Sequence, residues 1–246
     1  MNENYHIEIK DKFMAFGDEA ERDMECSFHI EIRNEESRKY QVVFKSGFHS
    51  FLNSCLGIGE LANMLPNCTK QLSEFLVIDE PENGLVLAKN TLYNDALLLI
   101  IEELARYSGK SVETFFELIQ SQILRDLNII LLRDNHVFAQ PVGEYLVFES
   151  ANRENILRVK QDEQGKTIEA IDIKRLIGTV EDSEYELLKH ERWLAQTGER
   201  RYKNTGLSYT KYCIDGSESL ELYEFVYQSV SSQQNKKLSR RIERIK

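Results

Sequence analysis

The chain has 246 residues, 41 % of them hydrophobic and 29 % charged, with three prolines and twelve glycines. That balance excludes wholesale disorder and the collagen-like and low-complexity classes, and the length suffices for one large core or two small ones. The formal net charge of −10 works against binding nucleic acid over the whole surface, because an acidic surface repels phosphate.

Residues 5–45 read as β-structure. His6-Ile7-Glu8-Ile9-Lys10 and the run from Cys26 to Arg33 alternate apolar with polar side chains, and Lys39 to Lys45 is rich in β-formers. Asn34-Glu35-Glu36-Ser37 is a polar turn, so the second and third runs form a hairpin with one wet face. Ser46 to Asn67 reads as a short helix followed by a loop. Gly57-Ile58-Gly59-Glu60 lacks the third glycine or Gly-Lys-Ser/Thr ending that a phosphate cradle needs. Phe75 to Ile78 and Leu85 to Leu87 are short strands around a Pro81/Asn83-Gly84 turn.

Two helices follow. Leu92, Ala96, Leu99, Ile100, Leu104 and Tyr107 repeat at helical spacing up to Gly109, and Ser111 is an N-cap for a second helix carrying Phe115, Phe116, Ile119, Ile123 and Leu127. Val137 to Ala139, Tyr145 to Phe148, Ile156 to Val159 and Thr167 to Leu176 return to β. The spacing Ser183-x-x-Glu186 opens an acidic helix as a capping box. A last helix is expected from about Ser219 to the end, with Leu238, Ile242 and Ile245 at i, i+4 and i+7. Its final eleven residues, Lys236 to Lys246, carry six basic side chains and one acidic.

The expected fold is therefore α+β: N-terminal antiparallel strands, a central helical hairpin, a second set of antiparallel strands and C-terminal helices. The expected division is a body over 1–180, with a possible boundary near 150, and a helical C-terminal region over 181–246 that ends in a basic tail.

Cys26, Cys55, Cys68 and Cys213 form no CxxC pair or Cys/His cluster, so they read as free thiols of a reducing compartment. The N-terminal residues have no basic region followed by an apolar stretch, and the apolar run Ala96 to Ile101 is too short to span a bilayer. A soluble cytoplasmic protein without a membrane partner is expected.

Residues 85–127 run strand, helix, Ser108-Gly109-Lys110-Ser111-Val112-Glu113, helix. This resembles the ribbon-helix-helix DNA-binding pattern over about a sixth of the chain, and the resemblance implies a DNA-binding regulator that reads the major groove with its strand. The strand here offers Leu85, Val86, Leu87 and Ala88 before the basic Lys89.

Asp172-Ile173-Lys174 on a strand, with Glu149 at the end of another, matches the (Asp/Glu)-x-Lys arrangement of Mg²⁺-dependent nucleases. In that chemistry the acids hold the metal and the lysine steadies the attacking water. No other cofactor is implied.

Arginines interleaved with aromatics suit protein interfaces. Arg192, Trp193, Arg200, Arg201 and Tyr202 form such a stretch, and Leu238, Ile242 and Ile245 would anchor the basic tail in a partner's groove. Since no catalytic motif is complete, the leading expectation is a non-enzymatic interaction protein. It would be a subunit or regulator of a macromolecular complex that binds another protein through its C-terminal region. The nuclease and the DNA-binding regulator are the alternatives.

Overall fold

The described strands alternate between two faces and join in one antiparallel sheet. The computed structural model describes residues 2–15, 21–56, 74–88, 95–133, 138–150, 153–175, 205–230 and 234–245. Its strands are β1 (Asn2–Ala15), β2 (Glu21–Glu36), β3 (Lys39–Ser46), β4 (Glu74–Glu80), β5 (Gly84–Leu87), β6 (Gly143–Ser150), β7 (Arg153–Gln161), β8 (Gly165–Arg175), β9 (Thr205–Asp215), β10 (Leu220–Val230) and β11 (Gln234–Ile245). The described helices are α1 (Phe48–Leu56), α2 (Asp95–Ser108) and α3 (Val112–Ile130).

All eleven strands join in the order β5-β4-β3-β2-β1-β11-β10-β9-β8-β7-β6. The N-terminal half steps outward from β1 to the β5 edge. The chain then crosses through α2 and α3 to the far edge and steps back inward from β6 to β11. The first and last strands thereby meet at the centre of the sheet, with Ile7 opposite Ile242.

This overturns the α+β expectation with its C-terminal helices. The described residues from Ser219 onward are not helical: they form β10 and β11, and the basic tail is a central strand, whereas the acidic helix expected from Ser183 lies outside the described residues. The helical hairpin is an addition to a dominant sheet rather than the hub of the fold.

One sheet face holds the main core. Tyr5, Ile7 and Ile9 of β1 line up with Ile30, Phe28 and Cys26 of β2, all almost fully buried. The described helices pack on this face. Phe51 of α1 meets Phe28 and Phe44 at ring separations of 5.4 and 4.7 Å. Phe115, Ile119, Ile123, Leu127 and Ile130 form the buried stripe of α3. Each such side chain contributes roughly 1.5–3 kcal/mol by leaving water. Ser111 caps α3 by accepting the Thr114 N–H at 3.2 Å. A smaller cluster under the C-terminal strands joins Leu157, Val159, Ile168 and Ile214.

The turn from β3 into α1 depends on Gly47. Its φ is +75°, and a Cβ there would lie 2.5 Å from the Ser27 carbonyl oxygen, so no side chain fits.

The opposite sheet face is organised by charge. The register lines up Glu144, Arg158, Glu169, Lys211, Glu224, Arg241 and Glu8 on seven consecutive strands, from β6 at the edge to β1 at the centre. The signs alternate throughout. Arg158 meets Glu144 at 2.7 Å and Arg241 meets Glu224 at 3.0 Å. The neighbouring row on the same face is apolar: Leu146, Ile156, Ile171, Tyr209 and Val226. A one-residue slip of any strand would bring charges into the core, so the two rows together fix the register that positions the C-terminal half.

Candidate functional site

Among the described residues, those singled out in the sequence do not converge on one site. Asp172 and Lys174 lie two apart on β8, and Glu149 lies on β6. Glu149 pairs with Glu154, which pairs with Ile173, so Glu149 belongs to the sheet face of Ile173 and Asp172 to the other. Sheet backbone thus separates the two acids that would have to share a metal ion. Among the described residues no group of three or more His, Cys, Asp or Glu side chains is arranged to hold a metal.

Arg192, Trp193, Arg200, Arg201 and Tyr202 lie outside the described residues. Leu238, Ile242 and Ile245 sit on β11 rather than on one helical stripe. Ile242 is fully buried, Leu238 packs on the core and Ile245 is exposed. In the segment that resembles ribbon-helix-helix proteins, β5 pairs with β4 and turns Leu85 and Leu87 into the core. Cys55 and His49 share α1, but burial pushes the Cys55 thiol far above its ordinary pKa, the reverse of what a nucleophile needs.

A concavity lies elsewhere, between α3 and the C-terminal strands. This pocket of about 400 Å³ is lined by Ser121, Leu124, Arg125, Asn128, Ile129, Phe138 and Tyr212. Ser121, Arg125 and Asn128 fall at i, i+4 and i+7, so helical periodicity alone sets them in one stripe beside the buried one. The facing wall is aromatic. Tyr212 of β9 meets Phe138 edge-on at 5.1 Å and lies 5.0 Å from Tyr223. Phe138 is held in place by Lys166, whose ammonium donates to the carbonyl oxygens of Phe138 (2.5 Å) and Gln140 (2.9 Å).

Behind the pocket lies a buried charge cluster. Asp126 of α3 forms an ion pair with Arg240 of β11, and both side chains are more than nine-tenths buried. Arg125 donates to Gln122 one turn earlier and remains accessible to solvent. Desolvation raises the Asp126 pKa against the opposing pull of Arg240 and Arg125. Desolvation, and then the Arg240 charge, lowers that of Arg125. Among the described residues, Gln122 Nε2 and Arg240 Nε are buried donors without a hydrogen-bond acceptor in bonding geometry. Two guanidinium groups therefore face one carboxylate.

The sheet edge is the other distinctive feature. Among the described residues, edge strand β6 pairs only with β7. Leu146 and Val147 in it, and Val142 just before it, are 56, 60 and 60 % exposed. A bulge between Leu146 and Phe148 interrupts its pairing with β7. At the other edge β5 has only four residues, and α3 packs against it.

Sequence reading missed Arg125, Tyr212 and Arg240 as a group because they come from three distant segments. One signal was present: Asp126 falls one turn from both Ile123 and Ile130 on an apolar stripe, and an acid in that place demands a buried cation.

Comparison with known protein families finds no family model that matches the chain, and no curated protein matches it. No described helix is long and apolar enough to cross a membrane.

Proposed function

We propose that the protein is a non-enzymatic interaction protein that binds another protein by accepting an extended segment of it along edge strand β6. The carrying observation is that this eight-residue edge presents exposed Leu146 and Val147 and contains neither lysine nor proline. Despite the bulge between Leu146 and Phe148, an edge strand leaves a row of N–H and C=O groups available to pair. An added strand would gain backbone hydrogen bonds and extend the apolar row that begins at Leu146. The separation of Glu149 from Asp172 across the sheet supports binding over metal-dependent hydrolysis. Cys26, Cys55 and Cys213 are free thiols, which supports placement in the reducing cytoplasm.

The test joins native mass spectrometry of protein purified gently from its own host with hydrogen exchange. The expected result is a discrete added mass with slowly exchanging β6 amides, both lost in Val147→Lys without a change in melting temperature. A bare monomer with fast β6 exchange, or an assembly indifferent to Val147→Lys, overturns the reading.

A further inference from the structure

We propose that the pocket between α3 and β9 binds a small aromatic oxyanion, its carboxylate or phosphate group on Arg125 and its ring against Phe138 and Tyr212. The inference rests on the pocket's own chemistry and is independent of the β6 reading.

Charge is the first argument. Among the described residues the cluster of Arg125, Arg240 and Asp126 carries one uncompensated positive charge. The depression on the opposite sheet face provides a contrast. It measures about 250 Å³ and is lined by Glu8, Lys10, Glu224 and Arg241 among others. There the cations are matched: Arg241 by Glu224 at 3.0 Å and Lys10 by Glu25 at 2.6 Å. At the α3 pocket the only buried carboxylate among the described residues, Asp126, is taken up by Arg240. Arg125 is left with the neutral amide of Gln122 as its acceptor. A guanidinium with spare donors at the mouth of a partly apolar cavity binds carboxylate or phosphate oxygens through charge-assisted hydrogen bonds.

Shape is the second argument. Among the described residues lining the pocket there is no carboxylate, so none of them repels an anion, and Asn128 and Ser121 add polar groups along the same helical stripe. The opposite wall presents the Phe138 and Tyr212 rings, suited to a planar group. The volume lies at the small end of the range for small-molecule sites, room for one ring system with one acidic substituent. The Lys166 clamp on Phe138 pre-orders that wall, so binding does not have to order it.

The experiment is calorimetric titration of the full chain with two probes and their neutral counterparts: adenosine 5′-monophosphate against adenosine, and 3-phenylpropionate against its amide. At least one anion is expected to bind in the micromolar to millimolar range, on the order of tenfold or more tighter than its counterpart, and more weakly as salt is raised. Binding of the nucleotide alone identifies phosphate as the preferred group; binding of phenylpropionate alone identifies carboxylate. Arg125→Gln is expected to abolish the preference for the anion, Arg125→Lys to retain part of it, and Phe138→Ala to weaken both members of a pair. Melting curves of each variant report that the fold is kept. Absence of binding by both anions at millimolar concentration, equal binding of the neutral counterparts, or wild-type affinity in folded Arg125→Gln overturns the proposal.

Discussion

Arg240, in the middle of central strand β11, forms an ion pair with Asp126 of α3, and both side chains are cut off from water. The contact ties the helical layer to the centre of the sheet. Removing one partner strands the other charge in a low-dielectric interior. Asp126→Ala and Arg240→Ala are therefore each expected to cost about 3–5 kcal/mol in urea unfolding. The double replacement Asp126→Leu with Arg240→Met is expected to recover most of that loss, because an apolar pair needs no desolvation. Single variants that cost under about 1 kcal/mol would mean that water reaches the pair.

The same arginine explains why the C-terminal strands were illegible in the sequence. The core-facing positions of β11 include Leu238, Arg240 and Ile242. With an arginine in the middle, the apolar residues recur at i and i+4, the signature of a helix. In β10, Leu222, Phe225 and Val226 likewise imitate helical spacing, whereas Tyr223, Phe225 and Tyr227 carry the true period of two. The N-terminal strands were legible because Ile7, Ile9, Phe28 and Ile30 alternate with charges and no buried ion interrupts them. Pairing of β1 with β11 joins residues more than two hundred positions apart, and no local pattern encodes it. The candidate pocket was hidden for the same reason: α3 periodicity places Arg125 beside Asn128, but only the sheet order brings Tyr212 to face them.

The alternating charge row should be a measurable determinant of stability. Lys211 lies between Glu169 and Glu224, so Lys211→Glu places three carboxylates side by side on adjacent strands. Like charges directly opposite one another destabilise a sheet, and a loss of about 1 kcal/mol at low salt is expected. Molar salt should remove most of it, since the pairs are partly exposed. Urea unfolding at two salt concentrations makes the comparison, and a loss that salt leaves unchanged would point to packing instead of charge.

Acid should weaken the turn between β9 and β10. Asp215 Oδ1 accepts from Ser217 Oγ (2.7 Å), Ser217 N (2.9 Å) and Ser219 N (3.0 Å), and its other oxygen pairs with Arg244 of β11. The Ser217 hydroxyl and the Arg244 guanidinium hold the carboxyl well below the usual carboxylate range. A depressed folded pKa gives stability that is complete above the unfolded value, about pH 4, and is lost as pH falls toward the folded one. Melting temperature should therefore drop below about pH 4, and Asp215→Asn should flatten that drop while costing about 1–2 kcal/mol at neutral pH. An identical acid limb in the variant would assign the effect to other carboxylates.

The C-terminal strand cannot be a dispensable tail. β11 pairs along nearly its whole length with β1 on one side and β10 on the other, and it supplies buried Ile242 and Arg240. Deleting 234–246 would split the sheet at its centre, leave two long unpaired strand edges facing each other across a gap, and orphan Asp126. The truncated chain is expected to lose its cooperative thermal transition and to aggregate, because newly exposed edges template intermolecular pairing. Adding a synthetic peptide of residues 234–246 during refolding should restore part of the folded signal, since the missing strand would then re-enter between β1 and β10. A truncated chain that melts cooperatively at the wild-type temperature would show that the two halves of the sheet are stable without the strand that joins them.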